Sequence, residues 1–363
     1  MNVVIVNCFD TYEHRVDLLH NFFENRGDKV IVYTSTFRHF EKVERTDNKE
    51  NFVYIKANPY YKNMSPQRLW SHHKLSKDIF KDLSKENLDL LWVLIPPNSF
   101  TKDAAKYKKK HPNTKLIFDV IDMWPETMPV QKIKNLPPIK AWGHLRNKWI
   151  NVADHVVTEC ELYQTKLVNY VDKSKMTTVY LAREIKEFKG NPNPPEDKTA
   201  LCYLGSINNI IDIPTICDIV KELKKTKPVV LHIIGDGEKR EELIKTAEEN
   251  GAEVIYHGKV YDSDEKQKIF DSCHYGLNIM KESVFVGLTM KSMDYFEAGL
   301  PIINNIHGDT WDMVDKYGVG VNFNDANFEG ESVRTNVRSF FEEKLSVKEF
   351  EMKVAEITNN EII

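Results

Sequence analysis

Short apolar runs alternate with longer segments of helical periodicity along the whole chain. Val16, Leu19 and Phe23, for example, recur at helical spacing between two apolar runs. Buried strands that alternate with amphipathic helices are typical of parallel sheets covered on both faces. The pattern predicts strands at 3–7, 30–34, 52–55, 90–95, 116–120, 155–158, 176–180, 201–204, 229–234, 254–256 and 275–280, and helices at 14–25, 65–84, 161–171, 214–224, 239–250 and 264–272.

One proline-rich stretch interrupts this alternation. Residues 184–199 contain the run Gly-Asn-Pro-Asn-Pro-Pro-Glu-Asp-Lys, and proline both removes backbone donors and resists regular structure. We therefore predict a linker at 184–199 between two α/β domains, residues 1–183 and 200–345.

Length and composition narrow the function classes. A chain of 363 residues with 41% hydrophobic content can build two cores, and a net charge of -4 argues against a nucleic-acid-coating protein. No run approaches the ~20 apolar residues of a membrane span, and the start of the chain predicts a strand and not a signal peptide, so a cytoplasmic protein is expected. The five cysteines show no Cys-x-x-Cys spacing, which predicts core thiols and neither a disulfide framework nor a metal site.

The most informative stretch is residues 275–304. The apolar start predicts a buried strand, and Gly299 followed by Pro301 is the usual punctuation of a helix end. Thr289 is predicted to cap that helix at its start. The free amides and the positive dipole end would then attract a phosphate.

Lys291 and Asp294 stand three residues apart and so share one face of this helix. A cation and a carboxylate beside an open helix end suit a nucleoside diphosphate, the cation for the pyrophosphate and the carboxylate for the ribose hydroxyls. The alternative is an ordinary solvated ion pair between the two side chains, contributing roughly 0.2–0.5 kcal/mol.

Two segments carry a resemblance to a known family. The run Gly-Leu-Thr-Met-Lys-Ser-Met-Asp-Tyr-Phe-Glu-Ala-Gly-Leu-Pro-Ile-Ile at 287–303 resembles the donor-binding motif of GT-B glycosyltransferases similar to family 4. The Asp-x-Trp-Pro-Glu pattern at 122–126 resembles a section of family-4-like enzymes of bacterial surface-polysaccharide synthesis. Asp294 takes the place of the family's usual glutamate, and Val286 stands where the family often has another.

The resemblance implies a fold and a reaction. The fold would be GT-B, with two Rossmann-like doubly wound domains facing a central cleft and a last helix in 346–363 that crosses back to the first domain. The reaction would be a retaining, metal-independent transfer of a hexose or N-acetylhexosamine from a UDP-sugar to a glycan, lipid-linked or glycoprotein acceptor. No cofactor is expected. Capsule, exopolysaccharide and protein O-glycosylation are the implied settings.

The donor side would lie in the C-terminal domain. Gly205 and Ser206 follow a predicted strand, and ligands of doubly wound sheets meet the carboxyl ends of strands; the alternative is that Gly205 only permits a tight turn. The Gly-x-Gly at 235–237 lacks a third glycine and is interpreted as a structural turn. Lys259 and Val260 would face the base by resemblance, or be merely solvated. The predicted donor-binding set is Gly205, Ser206, Asn208, Lys259, Val260, Lys281, Gly287, Leu288, Thr289, Lys291 and Asp294, with Lys291 also assigned to catalysis.

The acceptor side would lie in the N-terminal domain. Asp122 is the predicted catalytic residue that holds the acceptor hydroxyl and assists its deprotonation, and the alternative is a helix cap or a buried strand-end carboxylate. Trp124 and Glu126 are further acceptor candidates. Arg15 could reach the leaving phosphate, although a surface arginine is the alternative.

A basic, tryptophan-bearing segment at 132–149 predicts peripheral membrane contact, with core packing as the alternative. A homo-oligomer is also considered. Two rival functions stay open: a GT-B nucleotide-sugar epimerase, and a non-enzymatic glycosyltransferase-like partner subunit. Val286 and Ser206 favour the partner subunit, whereas Lys291, Asp294 and Asp122 argue against it.

Overall fold

A computed structural model of the chain describes residues 1–128 and 135–359. The chain divides into two compact units: unit 1 is Met1–Leu181 with the chain from Phe350 onward, and unit 2 is Ala182–Glu349. Residues 132–134 of the basic segment and 360–363 of the predicted last helix lie outside the described residues. Of the helices that the structure describes, none combines the length and the apolar character needed to cross a membrane.

Unit 1 is built around a parallel seven-stranded sheet. The strand order is β5-β2-β1-β6-β7-β8-β9, and a separate two-stranded hairpin is formed by β3 and β4. The strands are β1 (Asn2–Val6), β2 (Lys29–Ser35), β3 (Phe37–Arg38), β4 (Val43–Glu44), β5 (Phe52–Ile55), β6 (Leu90–Ile95), β7 (Lys115–Val120), β8 (His155–Thr158) and β9 (Met176–Thr178). The helices are α1 (Glu13–Asn25), α2 (Pro66–Leu83), α3 (Ser99–Lys110), α4 (Pro137–Ile150) and α5 (Glu161–Leu167).

The local sequence explains these elements. All six residues of β6 are buried, as expected for a central strand with both faces covered. The α2 helix begins where the Ser65 side chain accepts a hydrogen bond from the amide of Arg68 at 3.2 Å. The α5 helix ends four residues before its predicted end, because the amide of Tyr170 bonds the carbonyl of Leu167 in a tighter turn.

Unit 2 repeats the plan with a second seven-stranded sheet. The order is β12-β11-β10-β13-β14-β15-β16, and only β16 is antiparallel to its neighbour. The strands are β10 (Thr199–Leu204), β11 (Val229–Ile234), β12 (Ala252–Gly258), β13 (Tyr275–Asn278), β14 (Ile302–Asn304), β15 (Gly320–Asn324) and β16 (Asn327–Glu329). The helices are α6 (Ile213–Lys224), α7 (Arg240–Glu249), α8 (Ser263–Asp271), α9 (Met290–Glu297), α10 (Asp309–Tyr317), α11 (Arg334–Lys344) and α12 (Val347–Asn359), and α12 continues into unit 1.

The order of unit 2 has a switch point between β10 and β13, where the chain begins to add strands on the other side of β10. Ligands of doubly wound sheets bind outside the carboxyl ends of the strands at such a point. Apolar side chains of the strands and of α6 form the core beneath it, among them Leu201, Ile216 and Leu277. All five cysteines are buried and stand outside any disulfide, which confirms the prediction of core thiols.

Candidate active site

The amino end of α9 lies beside the switch point of unit 2. Thr289 caps the helix, since its hydroxyl accepts the amide of Ser292 at 3.1 Å, and the Ser292 hydroxyl accepts the amide of Thr289 at 3.2 Å. The predicted cap is therefore confirmed. The capping box does not use the first two backbone amides of the helix. These are the amides of Met290 and Lys291, which have no acceptor in the part of the chain that the structure describes.

Lys291 is buried although it carries a charge. Its side chain is 9% exposed, and its Nζ atom lies 4.6 Å from the centre of the Tyr203 ring near the carboxyl end of β10. No carboxylate among residues 1–128 and 135–359 pairs with it, and burial lowers the pKa of its ammonium to about 8. In the part of the chain that the structure describes, the site therefore presents a desolvated cation without a carboxylate partner, on a helix whose first two amides are unbonded.

Asp294 lies one turn further along α9 and does not pair with Lys291. Its Oδ1 atom accepts hydrogen bonds from Arg183 at 2.9 Å and Lys266 at 3.4 Å, and Glu297 shares the same arginine at 2.7 Å. The alternative of a solvated ion pair between Lys291 and Asp294 is therefore wrong. Among the described side chains and amides none donates to Oδ2, so one oxygen of a fixed carboxylate stays free.

A chain of hydrogen-bonded, buried asparagine side chains supports the cap of α9. Asn278, Asn304 and Asn322 occupy paired positions on β13, β14 and β15, and all three are fully buried. Asn322 donates to Asp315 at 2.8 Å, Asn304 to Asn322 at 2.8 Å and Asn278 to Asn304 at 2.9 Å. Thr289 then donates to Asn278 at 2.7 Å. We call these three residues the asparagine ladder. It was missed from the sequence, although an asparagine at or near the end of each apolar run was a visible signal.

Close backbone contacts join the loops that follow β10 and β11. A Cβ atom on Gly235 would lie 2.0 Å from the Gly205 carbonyl oxygen, and one on Gly237 would lie 2.3 Å from that of Ile207. The Gly-x-Gly is thus a structural turn, as interpreted from the sequence. Gly205 itself has a φ of 116°, a conformation that favours glycine, and its amide bonds the carbonyl of Ile234 at 2.9 Å.

The other predicted donor residues surround this edge with less specific contacts. The Ser206 carbonyl accepts the Tyr203 hydroxyl at 2.9 Å, and the Asn208 side chain accepts the amide of Ile210 at 3.0 Å. The amide of Lys281 donates to the carbonyl of Ile210 at 3.0 Å, so the loops after β10 and β13 are joined. These residues differ in exposure. Gly287 is buried, the half-buried ones are Asn208, Val260 and Leu288, and the exposed ones are Ser206, Lys259 and Lys281.

In unit 1, Asp122 follows β7 and is already surrounded by donors. Thr127 donates to its Oδ1, and Trp124 and Tyr12 donate to its Oδ2 at 2.7 and 3.4 Å. The amide of Met123 also bonds this carboxylate, while burial raises its pKa. These contacts favour the alternative interpretation of a buried carboxylate at a strand end.

Arg15 is a correction to the sequence analysis, which expected a surface side chain or a phosphate contact. It is 2% exposed and makes a two-bond pair with Asp119 at 2.8 and 2.9 Å, while its remaining NH group donates to the carbonyl of Val179 at 2.9 Å. The guanidinium therefore joins α1 to the sheet of unit 1. These contacts favour a structural role for Arg15, because it is buried and three of its five N–H groups bond partners inside the unit.

Trp124 and Glu126 also make internal contacts. Trp124 is 7% exposed, and the guanidinium of Arg68 lies 4.2 Å from its ring centre. Glu126 forms a two-bond pair with the buried Arg146 at 2.7 and 3.0 Å. Both residues thus stabilise the segment after Asp122.

The fold of unit 1 assembles Cys8, His39 and His72, whose ligand atoms lie within 4.8 Å of one another, a grouping that cysteine spacing could not indicate. His39 contacts the Cys8 sulfur at 3.4 Å and the Tyr60 hydroxyl at 3.0 Å. Burial raises the pKa of the Cys8 thiol and lowers that of His39 to about 3, and Arg68 adds positive charge beside both. We interpret the group as a neutral hydrogen-bonded cluster of the core.

Comparisons with known proteins agree with this architecture. Residues 198–328 match the family described as Glycosyl transferases group 1. No curated protein sequence matches the chain. Three similar solved structures are a lipopolysaccharide outer core galactosyltransferase, WaaB (15% identity, TM-score 0.70, 99% of each chain), Anabaena HepE in complex with UDP and glucose (10%, 0.61, 99% of this chain and 100% of that one), and a sucrose-phosphate synthase from Thermosynechococcus elongatus (12%, 0.68, 99% and 98%).

These findings confirm two of the predictions. The similar structures confirm the α/β GT-B fold, and the family match within unit 2 confirms that the protein is a glycosyltransferase. The matched residues include the asparagine ladder and the whole of α9, so the capped start of that helix belongs to the matched domain.

Proposed function

We propose that this protein is a retaining glycosyltransferase of the family-4 type that transfers a hexose or N-acetylhexosamine from a UDP-sugar. The observation that carries the proposal is the buried Lys291 ammonium, which has no carboxylate partner among the described residues at the amino end of α9. A buried charge without a partner is costly, and such groups cluster at functional sites. The diphosphate of a nucleotide sugar supplies the missing negative charge at that point.

The neighbouring groups fit the rest of a nucleoside diphosphate. The free amides of Met290 and Lys291 would donate to phosphate oxygens at the positive end of the helix. The unoccupied Oδ2 of Asp294, one turn on, would accept the ribose hydroxyls. UDP is our choice of nucleotide because a protein of the same fold, Anabaena HepE, is described in complex with UDP.

In the proposed reaction the acceptor oxygen attacks C1 of the sugar on the face from which UDP departs. The new C–O bond forms as the bond from C1 to the phosphate oxygen breaks, and UDP leaves with one more negative charge. Lys291 and the two amides stabilise that charge, a contribution that is usually large. The hydroxyl proton is assigned to Asp122 by the resemblance of its motif alone, since its contacts favour a structural role. Retention and metal independence also rest on the resemblance to family 4.

We propose a glycan, lipid-linked or glycoprotein acceptor and a role in bacterial surface-polysaccharide synthesis or protein O-glycosylation. The motif at 122–126 supports this setting, and so does the likeness to a galactosyltransferase of the lipopolysaccharide outer core. A lipid-linked acceptor would place the reaction in the cytoplasm, at the surface of the membrane.

The test is a panel of UDP, UDP-sugars and GDP-sugars scored by protection against thermal unfolding. Free nucleotide at a hundred times its Kd should stabilise the folded protein by about 2.7 kcal/mol. Release of UDP from the matching donor is then measured with and without candidate acceptors. A glycosyltransferase releases UDP, whereas an epimerase converts the sugar without release and a partner subunit does neither. The proposal is wrong if no nucleotide diphosphate protects the wild-type protein.

A further inference from the structure

A long segment of unit 1 lacks acidic residues. Residues 51–77 contain five lysine or arginine residues and no aspartate or glutamate. At the average of 54 acidic residues in 363, a segment of this length would hold about four. The segment therefore has a formal charge of +5 in a chain whose net charge is -4, and Glu50 and Asp78 bound it.

The same segment exposes large apolar side chains. Tyr61, Met64 and Trp70 are 78%, 50% and 60% exposed. The loop that carries Tyr61 and Met64 is attached to α2, because the guanidinium of Arg68 donates to the carbonyl of Asn63 at 2.9 Å. Contiguous exposed apolar patches mark interaction surfaces, and these three side chains stand within a stretch of ten residues.

Lysines continue this surface along α2. Trp70, Lys74, Lys77 and Lys81 are spaced by four, three and four residues, so they lie on one face of the helix. All four are exposed, and none of the three lysines pairs with a carboxylate among the described residues.

A cationic groove lies beside this face, between α2 and α3. It encloses about 200 Å³, and its lining includes Lys77, Lys81, Lys106 and Lys110. The carboxylate in its lining is Asp103, which is 7% exposed and pairs with Lys106 at 3.4 Å. A groove of this size and charge suits the phosphate of a lipid headgroup.

We propose that this surface docks on an anionic membrane; the basic face comprises Tyr61, Met64, Trp70, Lys74, Lys77, Lys81, Lys106 and Lys110. Tryptophan and tyrosine favour the boundary between headgroups and acyl chains, and lysines on the same face are attracted by anionic lipids. An acidic glycan would use the lysines but leave Met64 exposed, and the net charge of -4 argues against a nucleic acid. The inference goes beyond the proposed function, because it holds whatever sugar the protein transfers.

The basic face also replaces the membrane segment expected from the sequence. In the described part of that segment, Trp142 and Trp149 of α4 are half-buried, and Trp142 packs against Trp124 with ring centres 5.8 Å apart. Core packing, the alternative interpretation, therefore accounts for Trp142 better than membrane contact does.

The test is sedimentation of the full-length protein with vesicles of phosphatidylcholine alone or mixed in equal parts with phosphatidylglycerol. We expect tight binding to the mixed vesicles only. A lysine at an anionic surface contributes about 1 kcal/mol, or roughly fivefold in affinity. The triple variant K74Q/K77Q/K81Q should therefore bind about a hundredfold more weakly, and W70S should bind at least fivefold more weakly.

The matched control removes three exposed lysines of unit 2, in the variant K221Q/K224Q/K225Q, and should bind as the wild type does. Equal binding to both vesicle types, an unchanged affinity in the α2 triple variant, or an equal loss in the control would each overturn the proposal. So would an unchanged affinity of W70S, because it would reduce the surface to a general polyanion site. UDP protection measured on every variant reports the proposed function separately, and we expect it to be unchanged.

Discussion

Replacement of Lys291 by methionine should stabilise the unliganded protein against unfolding and weaken its binding of UDP. Methionine keeps the length and the apolar contact with the Tyr203 ring but removes the charge. Burial lowers the pKa of Lys291 from 10.5 to about 8, and at ~1.4 kcal/mol per unit the buried ammonium costs about 3 kcal/mol at neutral pH. The substitution also removes the attraction between the ammonium and the Tyr203 ring, which offsets about 1 kcal/mol of this gain in stability. We therefore expect K291M to raise the free energy of unfolding of unit 2 by about 2 kcal/mol.

The stability difference between wild type and K291M should depend on pH, in the direction set by the pKa shift of Lys291. The pKa of Lys291 is lower in the folded protein than in the unfolded chain, so between pH 8 and 10.5 the unfolded chain holds the extra proton and stability rises with pH. The free-energy cost of burying the charged ammonium is fully present below about pH 8 and disappears above about pH 10.5. Urea unfolding of wild type and K291M should therefore differ at neutral pH and converge in strong alkali.

The binding arm uses calorimetry with UDP. Loss of a hydrogen bond to a charged group costs about 1.5–3 kcal/mol, so K291M should bind UDP roughly ten- to a hundredfold more weakly. Lys316 offers a matched control, because it is an exposed lysine 5.1 Å from the Tyr317 ring centre in the same unit. K316M should change neither property. If K291M binds UDP as tightly as the wild type and is no more stable, the reasoning about a buried, unpaired cation is refuted.

Three further substitutions test the remaining parts of the site. D294N should lower the affinity for UDP about tenfold while that for pyrophosphate is kept, and calorimetry showing equal losses for both would exclude a ribose contact. N304L should leave both neighbouring amides of the asparagine ladder short of a partner, so urea unfolding should show a loss of about 2–4 kcal/mol; a loss under ~1 kcal/mol would contradict the ladder's importance. D122N should lower the free energy of unfolding by about 1–3 kcal/mol and keep UDP affinity, since Asp122 accepts several hydrogen bonds. Wild-type unfolding with turnover reduced tenfold or more would instead support the catalytic assignment of Asp122.

Strands with continuous apolar character were predictable from the sequence, and polar edge elements were not. The bounds of β6 and β11 agree with the predicted ranges, because central parallel strands are apolar on both faces. The hairpin of β3 and β4 and the antiparallel β16 were missed, since each is two or three residues long and mostly exposed or half-buried. Such pieces carry too few residues for a period to show.

The cap of α9 could be predicted, but the state of the lysine behind it could not. Thr289 is recognised from local sequence, because capping depends only on residues within one turn. A lysine in the first turn of a helix normally lies in solvent. Lys291 is buried because Tyr203, 88 positions earlier in the chain, is brought to the same edge by the pairing of β10 with β13. That contact depends on strand order, which local periodicity does not contain.

The asparagine ladder extends this argument from one side chain to the rigidity of the site. Its members are 26 and 18 positions apart, and they become neighbours only through the order β13-β14-β15. The ladder links the carboxylate of Asp315 on α10 to the Thr289 hydroxyl. The direction in which that hydroxyl donates its hydrogen bond is therefore fixed. A cap held in this way keeps the two free amides of α9 in one direction before any ligand arrives. Because a buried polar chain is stable only when every member is bonded, disruption at Asp315 should loosen the proposed phosphate site three strands away, without any contact to the ligand.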